Sequence, residues 1–278
     1  MGMNWLQNLI FGLLSGVSSL LPVSASGHQS LFLILTGIDG DLHLFRIAAA
    51  LGTMACLLFT CRPILHRFRR EQRIAAVPAK RRRRQPDPIT LRQIRLVRVA
   101  AIPLLLAAAG AWLLGLGELP LWAVAAAVLF NGVLLYVPQF VRQGNKNAAS
   151  MSYLDGLLMG LGGILAFLPG CSGVAGTLSV GSLCGSSREN ALDLAFLLSI
   201  VTMLLLIAIT VLQIVMAGGI VFSFVILLQC ILTALGAALG AWLGVLLMRF
   251  LAVNIGFSGF AYYCWGLALM MFILYLSI

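Results

Sequence analysis

"LLPVSASGHQSL", residues 20–31, and "FLPGCSGVAGTLSVG", residues 167–181, interrupt a chain that is otherwise almost continuously apolar. Each sets a proline, glycines and small hydroxyl residues in the middle of hydrophobic sequence, and their reading decides the fold. Proline removes a helical N–H and drives the residue before it out of the helical region, so a helix entering either stretch must stop and restart. Inside a bilayer such a break is tolerated only where protein or a watery cavity surrounds it.

The surroundings are those of a membrane. Of 278 residues, 61% are hydrophobic and 9% charged, and the mean hydropathy of +1.05 places the chain among polytopic membrane proteins. Spans of roughly 20 residues read at Leu44–Phe59, Val99–Leu116, Leu121–Val141, Leu192–Met216, Ile220–Met248 and Ile255–Ile278, the fifth long enough to be broken or tilted. Gly12–Leu21, Leu31–Gly37, Gly156–Leu168 and Ala175–Cys184 are too short to span alone and read as re-entrant or broken helices. The expected architecture is all-α, with about six full spans in one membrane domain over 1–278. "MGMNWLQNLI" has neither a basic start nor a small-residue cleavage site, so the first helix is expected to stay.

Charge is concentrated. Thirteen of the 18 Lys and Arg fall between Arg62 and Arg98, around "KRRRRQPDP". Between membrane helices the positive-inside rule makes 62–98 a cytoplasmic loop and not a nucleic-acid site, and contact with anionic phospholipids follows from its charge. Counting outward, the broken stretches open toward the outer face. Six cysteines without a CxxC pair read as buried free thiols. His28, His43 and His66 lack metal-ligand spacing, and there is no Walker-type glycine loop, so neither a resident metal or other cofactor nor nucleotide hydrolysis is expected.

Sliding the sequence by 147 superimposes Leu21 on Leu168, Pro22 on Pro169, Gly16 on Gly163 and Ala25 on Ser172. The shared organisation predicts an inverted repeat with cores at 1–61 and 153–217 and a site where the broken helices meet. Restarting helices present free N–H groups and a positive dipole end to anions. Ser24, Ser26, Gly27, His28, Gly170, Ser172, Gly173 and Thr177 are the candidate binding residues; the alternative is that they only cap and pack broken helices. Arg46 and Asp193, equivalent under the same offset, are expected to pair, since a lone intramembrane charge is costly; snorkelling of each to the interface is the other reading. Small residues at Gly236, Gly240 and Gly244 predict close helix packing, within the chain or against a second subunit.

These residues resemble the bacterial undecaprenyl-pyrophosphate phosphatase, or bacitracin-resistance, family. "SGVSSLLPVSASGH" (15–28) is similar to its first motif, E-G-x-T-E-F-L-P-x-S-S-T-G-H. "PGCSGVAGT" (169–177) is similar to its second, P-G-x-S-R-S-G-x-T, and "SRE" (187–189) and "FRIAAALG" (45–52) match further segments. The resemblance implies the fold, a bacterial plasma membrane location and a role in recycling the lipid carrier of cell-wall synthesis. It also implies a hydrolytic site of two glutamates, a serine, a histidine and an arginine. Here the glutamate positions hold Ser15 and Ser19, the serine position Ala25 and the arginine position Gly173, while Arg46 replaces a further glutamate. Hydroxyls cannot serve as carboxylate bases, and cationic stabilisation is worth about 10³-fold or more in phosphoryl transfer. The sequence therefore predicts a degenerate relative that binds, and could also translocate, a polyprenyl phosphate or similar anionic lipid. The alternatives are an active phosphatase using His28, with magnesium or calcium in place of the arginine, and a non-catalytic membrane partner.

Overall fold

The computed structural model describes residues 3–38, 42–114, 119–219 and 223–277. In chain order its helices are α1 (Trp5–Leu20), α2 (Ala25–Thr36), α3 (His43–Thr60), α4 (Arg62–Ala76), α5 (Pro88–Leu113) and α6 (Leu121–Tyr136). They continue with α7 (Tyr153–Gly163), α8 (Gly173–Leu183), α9 (Arg188–Met216), α10 (Phe224–Asn254) and α11 (Gly259–Ser277).

The two prolines act as their chemistry requires. Leu21 is extended (φ −75°, ψ 152°), which ends α1 before Pro22. Leu168 is extended (φ −97°, ψ 117°) before Pro169, after α7 tightens into a 3-10 turn at Ile164–Phe167. Both chains restart on a serine cap: the Ser24 side chain accepts from Gly27 N–H at the head of α2, and that of Ser172 from Ala175 N–H at the head of α8. The order short helix, break, short helix, full span therefore occurs over α1–α3 and again over α7–α9.

Among the described residues, six helices are long and apolar enough to cross a membrane: His43–Thr60, Pro88–Leu113, Leu121–Phe140, Arg188–Met216, Phe224–Asn254 and Gly259–Ser277. The protein is an all-α polytopic membrane protein. Of the two alternatives for the fifth span, broken or tilted, α10 is unbroken over 31 residues. One expectation needs correction: 62–98 is not a loop throughout but holds α4, a short 3-10 turn and the first turns of α5. Glu71 gathers part of this segment. Its buried carboxylate accepts Asp87 N–H (2.9 Å), Arg84 Nη2 (2.8 Å) and Arg70 Nε (3.1 Å), which ties the arginine run back onto α4.

Short helices lean on full spans from elsewhere in the chain. A Cβ on Gly12 or Gly16 of α1 would strike the backbone of Thr233 or Ala237 of α10, and one on Gly236 or Gly240 would strike Leu9 or Leu13. The glycine stripe of α10 is thus occupied by α1 of the same chain. α7 sits on α5 in the same way, with Gly160 against the Ala100 backbone.

These contacts fix directions. The α5 start, the α7 start and the α8–α9 connection share the face of the basic segment, because Arg92 donates to Met151 O (2.7 Å) and Lys146 N–H to Gly185 O (3.0 Å). α7 enters from that face. α1 runs parallel to α10, whose last turns carry Arg249 to the same face, so α1 enters from the far one. The expected Arg46–Asp193 pair does not form. Asp193 pairs with Arg249 (3.5 Å) beside Cys61 at the end of α3, whereas Arg46 lies in the first turn of that 18-residue helix, about 20 Å away at 1.5 Å per residue. α3 and α9 run in opposite directions, so the offset that equates the two residues puts them at opposite membrane faces.

Candidate functional site

The two breaks meet and satisfy each other. Gly170 N–H donates to Ser26 Oγ (2.9 Å). Asn131 of α6, fully buried, donates from Nδ2 to Pro22 O (2.9 Å) and accepts Ser172 N–H at Oδ1 (3.0 Å). Backbone groups released by the prolines in mid-protein thus find side-chain partners, as a low-dielectric interior demands.

Beyond this junction a cavity of about 610 Å³ widens toward the far face between α1, α2, α3, α8 and α9. Ser26, Ser172, Gly173 and Thr177 lie on its wall, and so does Arg46 in the first turn of α3. Ser15 and Ser19 line it from α1 and Ala25 from α2. α9 adds Ser199, Thr202, Thr210 and Gln213, a polar lane at helical spacing that runs to the far end of the helix.

Four predicted residues lie off that wall. Ser24 is the α2 cap, its Oγ 3.0 Å from Gly27 N and 3.1 Å from Ser26 Oγ. A Cβ on Gly27 would press on Val128, so this glycine serves the α2–α6 contact. Gly170 (φ +92°) supplies the left-handed turn that only glycine makes without strain. His28 faces α11: its Nδ1 is 2.6 Å from Ser24 O, and its Nε2 2.7 Å from the Tyr263 hydroxyl. A carbonyl only accepts, so Nδ1–H donates to it, and Nε2 accepts from Tyr263 in a neutral imidazole. The rings stack at 5.7 Å. His28 is a pin between α2 and α11, and Asp193 lies at the basic face.

Sequence reading missed Asn131, the only amide side chain in α6. It also missed Gln29, whose Nε2 donates to Ser15 Oγ (3.0 Å), and the α9 lane. His43, the first residue of α3, also lines the cavity. Chemically the wall offers hydroxyls, amides, two helix N-termini, an imidazole and a guanidinium; among the described residues it carries no carboxylate. Such a wall suits an anion. Among the described residues no group of three His, Cys, Asp or Glu could hold a metal ion.

Residues 8–270 match the family model described as bacitracin resistance protein BacA. The chain is 31% identical over 202 residues to the undecaprenyl-diphosphatase of Renibacterium salmoninarum, covering 71% of this chain and 70% of that protein. It is also 31% identical over 206 residues to that of Carboxydothermus hydrogenoformans, with 71% and 70% covered. Undecaprenyl-diphosphatase 1 of Shouchella clausii is 26% identical over 275 residues, 98% of this chain and 96% of that one.

Proposed function

The chain belongs to the bacitracin resistance protein BacA family, and on that footing we propose that it binds the phosphate or diphosphate headgroup of a polyprenyl lipid in the cavity over the two breaks. We propose further that it does so without cleaving it. One observation carries this reading: Ser15, Ser19, Ala25 and Gly173, the positions at which the resemblance implies glutamates, a serine and an arginine, all face the cavity. None supplies a carboxylate base or a cation. Hydroxyls, the α2 and α8 N-termini and Arg46 remain, and these hold an anion without activating water against it. Apolar wall residues such as Leu33, Ile34, Leu206 and Ile209 suit the first units of a prenyl chain. Half-helices that enter from opposite faces support carriage of the headgroup across the bilayer.

The setting we propose is the bacterial plasma membrane, with the basic segment cytoplasmic and in contact with anionic phospholipid, and the cavity opening outward. The positive-inside rule supports this orientation. α1 of the same chain covers the α10 glycine stripe at Gly236 and Gly240, so that part of the stripe is not open to a second copy.

A second reading is hydrolysis, the activity in the names of the relatives. Among the described residues of the cavity wall, His43 is the side chain suited to act as a general base. The test is phosphate release from undecaprenyl diphosphate by the purified full-length protein, with and without magnesium or calcium. Its companions are His43→Ala and a variant carrying S15E, S19E, A25S and G173R. Binding without release, with release gained in the fourfold variant, supports the first reading. Release that is lost in His43→Ala replaces it with the second.

A further inference from the structure

A second polar pocket lies on the basic-segment face, below α8. It encloses about 170 Å³, far more than the ~30 Å³ of one water. Arg142, after α6, and Arg188, at the head of α9, line it together with Ser179, Ser182 and Ser186. Among the described residues its lining carries no carboxylate, and neither arginine has an ion pair or a hydrogen bond to a described residue. Ser179 is 3% exposed, and among the described residues its hydroxyl finds no partner. A buried, unpaired hydroxyl is costly and rare. Beside two guanidinium groups it is the donor that a small, multiply accepting anion would satisfy.

The pocket is separate from the first cavity. Thr177 lines the outer one and Ser179, two residues on, the inner one, so α8 is the partition. α9 contributes Arg188 from its N-terminal turn, where the dipole of a 29-residue helix adds to the attraction for an anion. The Arg188 guanidinium lies against Gly256, whose φ of +106° suits glycine.

We propose that this pocket is a phosphate-binding site on the opposite membrane face from the first cavity, one that takes a phosphate or diphosphate group through Arg142, Arg188 and Ser179. The proposal stands on these residues and needs no binding in the first cavity. Where both sites bind, α8 separates two stations for the same headgroup.

The test is local amide hydrogen exchange of the full-length protein in nanodiscs of neutral lipid, with inorganic diphosphate and farnesyl diphosphate as probes. Slowed exchange in 141–144 and 184–190 is expected. Arg142 is exposed, so Arg142→Gln carries little folding risk, and it is expected to weaken that protection about tenfold in probe concentration. The Arg142→Gln/Arg188→Gln protein is expected to lose it. Protection by both probes assigns the pocket to the phosphate group itself, by the prenyl probe alone to a lipid headgroup, and by the inorganic probe alone to free phosphate. No protection by either probe, or protection that survives the double substitution, overturns the proposal. Protection of 25–30 and 170–173 in the same experiment reports on the first cavity independently.

Discussion

Asn131 and His28 show opposite relations between a residue's apparent and actual role. Asn131 looks like an accident in an apolar helix, yet it holds Pro22 O and Ser172 N–H together. Asn131→Ala strands a buried acceptor and a buried donor, with an expected loss of about 2–4 kcal/mol on thermal or denaturant unfolding in detergent. His28 looks like a ligand to an anion, yet both its nitrogens are engaged away from the cavity. Tyr263→Phe is expected to lower stability by about 1 kcal/mol and leave prenyl-diphosphate affinity unchanged, whereas Arg46→Gln is expected to weaken that affinity. The breaks themselves were legible, since Leu-Pro followed by a serine cap has few other outcomes. The aim of His28 was not, because it is set by a tyrosine 235 positions away.

Among the elements, spans were legible from length and hydropathy, and close packing from glycine spacing; the partner of each helix was not. The α1–α10 contact has no slack at Gly16, where an added Cβ meets the Ala237 backbone. Gly16→Leu is expected to cost at least ~1–3 kcal/mol in overpacking. Gly266→Ala in α11, with nothing within 4 Å of its added carbon, is expected to be neutral in the same unfolding measurement. The helical character of 62–76 escaped a reading based on charge alone, because the clasp that orders residues 77–87 behind it depends on one glutamate. Asp87 N–H, then Arg70 and Arg84, hold the Glu71 carboxyl below its ordinary value. A depressed acid contributes fully above its unfolded pKa, about 4.3, and loses that contribution as pH falls through the lowered folded value. Exchange protection of 77–87 is therefore expected to be flat from neutral pH to about 5 and to fall below about 4, while Glu71→Gln loses it at all pH values.

Over the whole molecule, the offset of 147 matches Arg46 with Asp193 in sequence but not in space. α3 and α9 run in opposite directions, so Asp193 meets Arg249 while Arg46 lines the far cavity. The same opposition predicts sidedness. In sealed vesicles of one orientation, a membrane-impermeant thiol reagent is expected to reach Gln213→Cys from one side and Arg83→Cys from the other. Reaction of both from the same side would refute the placement of the cavity opposite the basic segment.

The seating of α1 on α10 also sets an order of events in biosynthesis. α7 emerges after α5, its support, already exists, so the short helices α7 and α8 can dock as they are made. α1 is made well before α10, the helix that supports it. With the mid-membrane backbone at Pro22 lacking both Asn131 and the α10 surface, the first pair has no stable buried position early in synthesis. Its final seating therefore waits for α10, so α1 settles later than helices that follow it in the chain.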